Sequence, residues 1–242
     1  MAIADAAMDA LRDDRMRLAF QPVVRAHGHQ VSHYECLLRM VDACGVIHTA
    51  GHFVPACEQM GLVQRVDRFA LEGTIACLKR HAHVSLAVNV SGTAASDTRW
   101  LEDFVETVRT NRAVADRLIV ELTETAALHH FEANASFVSR LQALGVRVAI
   151  DDFGAGHTSF DNLRMDGVDA VKIDGSYVQD IARSPAHQAF VRTLVALAHS
   201  FGIQTVAEWV GDDADAALLR GFGVDYFQGF HFGAPRIDPM WA

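Results

Sequence analysis

Apolar runs rich in Val, Ile and Leu recur along the chain at 16–24, 32–40, 84–90, 118–122, 146–150, 170–173, 204–207 and 224–227. Their length and composition predict strands. Between most of them the apolar residues take up helical spacing instead. Phe190, Leu194, Leu197 and Phe201 fall at i, i+4, i+7 and i+11, the stripe of an amphipathic helix. Val66, Phe69, Leu71 and Ile75 mark a second helix between Gln64 and His81. Leu101, Phe104, Val105 and Val108 mark a third, with Asp97 as its N-cap. Phe137, Val138, Leu141 and Leu144 mark a fourth, which Gly145 closes. A further helix over 4–15 precedes the first strand. Strands alternating with helices predict an α/β fold, either a (β/α)8 barrel or a doubly wound sheet. One connection departs from the pattern. Residues 25–31 are too few for a parallel crossover, so the first two strands should form an antiparallel hairpin.

The strands carry a second pattern. Glu35 lies within the second strand, and Asn89, Glu121, the pair Asp151-Asp152, Lys172, Glu208 and Gln228 end the six that follow. In a parallel barrel those ends share one face, and that face holds the active site. A single acidic residue there is about as often the cap of the next helix. The full set is not explained by capping. Five carboxylates in one mouth repel each other unless cations hold them charged. Oxygen-only donors select hard ions such as Mg2+ or Mn2+, and two such ions clamp a phosphoryl displacement.

Composition narrows the field. The chain has 242 residues, 50% of them hydrophobic and 21% charged, enough apolar surface for a core and close to the length of a (β/α)8 barrel. No run of about 18 apolar residues occurs, so no membrane segment is expected. Acidic residues outnumber basic ones 30 to 21, a net charge of −9, which disfavours polymeric nucleic acid as a partner. An anionic small ligand would need metals to supply the positive field. Cys36, Cys44, Cys57 and Cys77 contain no C-x-x-C pair, as expected of a reduced, cytoplasmic chain. The thirteen histidines show no H-E-x-x-H spacing. Gly154-Ala155-Gly156 lacks the ending of a P-loop and reads as a loop covering a site.

These residues together resemble the EAL-domain cyclic di-GMP phosphodiesterases. The resemblance rests on Glu35-Cys36-Leu37 with Leu38-Arg39, Asn89-Val90-Ser91, Glu121-Leu122-Thr123-Glu124, Asp151-Asp152-Phe153-Gly154, Lys172-Ile173-Asp174, Ala207-Glu208 and Gln228-Gly229-Phe230, with Gln21-Pro22 at the opening. It implies a modified (β/α)8, TIM-like barrel with one antiparallel strand, and hydrolysis of cyclic di-GMP to linear pGpG. It implies two Mg2+ or Mn2+ ions held by Glu35, Asn89, Glu121, Asp151, Asp152 and Glu208, with Asp151 as the bridge. Lys172, Glu208 and Glu35 would be catalytic, Lys172 holding the attacking water. Arg39, Gln228, Gln21, Leu37 and Asp174 would bind substrate, and Glu124 would anchor the loop after Asp152. Residues 16–242 would be the domain. Residues 1–15 would link it to an upstream regulatory domain, and a homodimer is expected near the loop after Asp152.

The departures are specific. Cys36 replaces the alanine of the name motif, His157 stands where tyrosine is usual, and Trp209-Val210-Gly211 replaces Gly-Val-Glu. No metal ligand is lost. A weak or inactive domain that senses cyclic di-GMP is the alternative, and a carboxylate-pair glycosidase is a third reading that leaves Lys172 and Asn89 unexplained. Replacing Lys172 or Glu35 with alanine is expected to spare the fold and remove turnover.

Overall fold

The computed structural model describes residues 2–92, 97–123, 131–154, 166–239 and 241, with the backbone alone at 131–134. The chain reverses after β1 (Met16–Arg25) through Gly28 and His29, both left-handed. It returns as β2 (Val31–Val41), antiparallel to β1, with Gln21 opposite Glu35. This is the hairpin that the short connection predicts. A short strand, β3 (Ile47–Thr49), then pairs with the far end of β2.

From there the chain builds parallel units. Strands β4 (Leu86–Val90), β5 (Leu118–Thr123), β6 (Arg147–Phe153), β7 (Ala170–Ile173), β8 (Gln204–Ala207) and β9 (Tyr226–Gln228) follow β2 in parallel order. β1 closes the ring, antiparallel to both β2 and β9. Eight strands thus make a closed mixed barrel, and β3 lies outside it. The fold is the TIM-like barrel expected from the sequence.

Strand periodicity divides the packing into two layers. Cys36, Leu38 and Met40 of β2, Leu86, Val88 and Val90 of β4, and Leu118, Val120 and Leu122 of β5 face outward into the main core. The helices that cover them are α2 (Ala50–Gln59), α3 (Val63–Arg80), α4 (Thr98–Thr110) and α5 (Phe131–Ala143). The alternate residues Ala87, Ile119 and Ala149 form a separate cluster with Ala170 beside it, and Val23, Val206 and Tyr226 form another. These line the barrel interior beneath the polar mouth.

The helix predicted over 4–15 is α1 (Ala2–Arg12). It stops early because Asp14 turns left-handed and the Arg15 N–H reaches back to the Ala10 carbonyl at 2.8 Å, a Schellman-type end. Its buried stripe Ala4, Ala7 and Ala10 allows close packing on α2. Asp97 caps α4 as expected, accepting from the N–H groups of Arg99 and Trp100. The chain also forms α6 (Gly175–Val178), α7 (Pro185–Ser200) and α8 (Asp213–Gly221). Of these, α7 carries the predicted Phe190–Leu197 stripe, starts at Pro185 with Ser184 as its cap, and ends one residue before Phe201. Neither α2, which contains Pro55, nor α8 has the long stripe that made the other helices legible.

Candidate active site

The mouth is built by inward-facing positions of different strands. Glu35 comes from β2, Asn89 from β4, Glu121 from β5, Asp151 and Asp152 from β6, Lys172 from β7, and Gln228 from β9, while Glu208 directly follows β8. β6 needs one irregularity to contribute twice, since neighbouring residues of a regular strand face opposite ways. The register against β7 slips between Ile150 and Phe153, and Asp152 takes φ +55. This bulge leaves Asp151 buried and Asp152 exposed at the rim, with the Asp152 N–H donating to Asp151 Oδ1 at 3.0 Å.

Lys172 is the hub. Its side chain is buried, and Nζ lies 2.9 Å from Glu121, 3.0 Å from Asp151, 3.0 Å from Glu208 and 3.2 Å from Glu35. Glu35 has further donors: Asn89 Nδ2 to Oε1 at 2.7 Å and Gln228 Nε2 to Oε2 at 2.6 Å. Gln228 Nε2 also reaches Gln21 Oε1 at 3.2 Å, and Gln228 Oε1 is buried with no partner.

One ammonium cannot balance this many acids. Burial pushes Glu121 and Glu208 well above the usual carboxylate range; Lys172 opposes the shift and the neighbouring acids add to it. Burial raises Asp151 in the same way. Asp152 is pushed up to about 6, by desolvation and then by Asp151. Glu35 is the exception. Burial works against its charge, but Lys172, Gln228 and Asn89 together hold it below its usual value. Burial also opposes the Lys172 charge, and the four carboxylates overcome it. The site is short of positive charge.

The acids form two groups able to hold a cation: Glu35, Glu121 and Asp151, and Asp151, Asp152 and Glu208. Within each, the ligand oxygens lie within 4.8 Å of one another, and Asp151 belongs to both. All donors are carboxylate oxygens, a set that fits hard divalent ions. Among the described residues no histidine or cysteine joins such a group.

Most of the other predicted residues fall nearby. Leu37 and Arg39 follow Glu35 at alternate positions of β2, on its inner face, and both are half-buried. Gln21 is buried, its Nε2 donating to the Gly233 carbonyl at 3.2 Å. Asp174 sits after β7 and caps α6 through the Ser176 N–H and hydroxyl. Glu124, His157 and residues 155–165 of the loop where a homodimer is expected lie outside the described residues. Cys36 points away from the mouth into the core, where burial pushes its thiol up, so it is no nucleophile. Lys172 is buried among four carboxylates, so its removal would strand them and is expected to cost stability.

Sequence reasoning missed Asp67. This α3 residue is buried, accepts from the Ser91 N–H at 3.2 Å and hydroxyl at 2.6 Å, and so fixes the turn after Asn89. Its signal was a charge inside the apolar stripe Val63, Val66, Ala70, Leu71.

The family model described as EAL domain matches residues 4–235. The chain is 29% identical over 247 residues to the cyclic di-GMP phosphodiesterase PdeF of Escherichia coli K12, covering 99% of this chain and 33% of that protein. It superposes on the PaMucR phosphodiesterase in complex with c-di-GMP with a TM-score of 0.89 at 27% identity, covering 98% of each chain. The FimX EAL domain of Pseudomonas aeruginosa bound to c-di-GMP gives 0.89 at 26% identity, again over 98% of each. The chain spans about a third of the length of the curated relatives it matches. No described helix is long and apolar enough to cross a membrane. The chain belongs to the EAL domain family.

Proposed function

We propose that this domain hydrolyses cyclic di-GMP to linear pGpG with two divalent cations, Mg2+ or Mn2+. The observation that carries the reading is the pair of carboxylate triads sharing Asp151 around a single lysine. Glu35, Glu121 and Asp151, with Asn89 beside them, would hold one ion, and Asp151, Asp152 and Glu208 the other. Bound there, such ions supply Lewis-acid stabilisation of phosphoryl charge and acidify water. Glu35 keeps its oxygens oriented through Asn89 and Gln228. Lys172, held charged, has donors to orient the attacking water and to offset charge developing on the phosphate. Arg39, four residues beyond Glu35, suits a phosphate oxygen with its planar fork. Gln228 Oε1, buried and unpartnered, offers an acceptor to substrate or water. Gln21, Leu37 and Asp174 complete the cleft for the nucleotide.

The same reading gives the domain a regulatory neighbour joined through α1, a homodimeric state and a cytoplasmic location. The curated relatives support the first, since this chain spans only about a third of their length. Incubation with cyclic di-GMP and Mg2+ or Mn2+, with and without chelator, tests the function. Expected is pGpG that requires the metal. Tight binding without product would make the domain a sensor, and neither binding nor product would end the reading.

A further inference from the structure

Trp209 directly follows Glu208 and stands at φ +56, a conformation that bulky side chains avoid. Its ring is seated on Gly175, where an added β-carbon would clash with the indole Cγ. Gly175 in turn follows Asp174 at the end of the Lys172 strand. The rest of the indole faces water, with the residue 62% exposed. The neighbouring segment carries a second exposed aromatic. Phe230, two residues after Gln228, is 79% exposed. The two segments are stitched together: the Val210 N–H donates to the Gln228 carbonyl at 3.0 Å and the His231 N–H to the Val210 carbonyl at 3.4 Å. Among the described residues these are the two most exposed large apolar side chains, and both border the mouth.

Folding gives no reason for either feature. Glycine takes a left-handed backbone freely, and a tryptophan gains most by burial. A strained backbone that presents an aromatic face to solvent beside acidic ligands is explained by what the face receives. We propose that Trp209 is a binding residue of this domain, its indole stacking on one purine base of the cyclic dinucleotide, with Phe230 as the neighbouring apolar wall. The inference rests on the cyclic dinucleotide reading above. Stacking needs only a π-face, and every base has one. The bound base gains an aromatic neighbour while its phosphates lie over the acids and Lys172. The effect belongs to affinity and not to the chemical step.

The test is steady-state kinetics with cyclic di-GMP and saturating Mg2+ on wild type, W209A, W209G, W209L and W209F. W209G relieves the left-handed backbone, so a folded variant without the ring is available even where W209A folds poorly. Expected is a KM raised about tenfold in W209A, W209G and W209L with kcat within about twofold, and a W209F within about threefold of wild type. Wild-type tryptophan fluorescence should fall on titration with cyclic di-GMP, and W209F should lose that response, because Trp100 packs on Phe104 and Trp241 on Tyr34 and Phe20, away from the mouth. Unchanged KM in W209G, a fall in kcat alone, or a W209L that matches W209F would overturn the stacking while leaving the hydrolase reading intact. A wild type that neither binds nor cleaves the dinucleotide would remove both.

Discussion

The two carboxylate triads share Asp151 and differ in cover. In the first, Glu35, Glu121 and Asp151 are all buried, and Glu35 is oriented by Asn89 and Gln228. In the second, Asp152 is exposed and stands on a left-handed bulge. The first is preorganised by a surrounding shell of donors, which raises ligand precision. The second has an open side at the exposed Asp152. One triad is therefore expected to hold its cation tightly and the other to release it.

The largest expected effect comes from removing what both triads lean on. Lys172→Ala leaves four carboxylates around an empty position and should cost on the order of 3–5 kcal/mol in chelator. Mg2+ should return part of that loss, and thermal melting with and without the ion reads it. A melting loss that Mg2+ does not touch would break the idea that the triads attract cations.

Next comes the contrast between the triads themselves. Glu121→Gln removes charge from the covered group and should abolish pGpG formation by about 10³-fold or more at any metal concentration, as loss of a main transition-state stabiliser does. Asp152→Asn should lower metal affinity about 10- to 100-fold and regain activity in excess Mn2+. Equal rescue of both variants would erase the difference between the triads.

A smaller effect concerns the support of the covered triad. Burial pushes Asp67 up to about 7, with Ser91 opposing the shift. A carboxyl whose folded value is raised binds its proton more tightly folded than unfolded. Its stabilising contribution is complete below the unfolded value near 3.8 and is lost as pH rises through about 7. The span amounts to about 4 kcal/mol as an upper figure. Asp67→Asn should flatten the dependence of stability on pH between about 4 and 7, as chemical denaturation across that range will show.

The smallest effect lies away from both triads. Asp97→Ala deletes the α4 cap and should cost about 1 kcal/mol. Turnover should stay unchanged, with denaturation and the nucleotide assay as paired readouts.

Much of this arrangement was legible because strand residues alternate. Glu121 stands out between Val120 and Leu122, and Lys172 between Val171 and Ile173, so an inner polar position shows even in one dimension. Asp67 did not stand out in the same way. Helix α3 is long and mostly polar on its outer side, and a carboxylate one step from that side reads as solvated until Ser91 is seen against it. The strand β3 and helix α2 were missed because three residues and a Pro-containing segment carry too little periodic signal.

The positions of the strands, the hairpin and the polar residues that end the strands follow from the sequence, since period-two burial and connection length act locally, while the closed strand order came with the structure. Only the tertiary structure decided that Asp151 and Asp152 serve two overlapping triads. That depends on a register slip against β7 which no local pattern encodes. It also decided that one lysine meets four acids, because the closure of the barrel brings together residues as far apart in the chain as Glu35 and Glu208. Likewise it placed Trp209 in a left-handed, solvent-facing position, where the sequence shows only an aromatic after an acid.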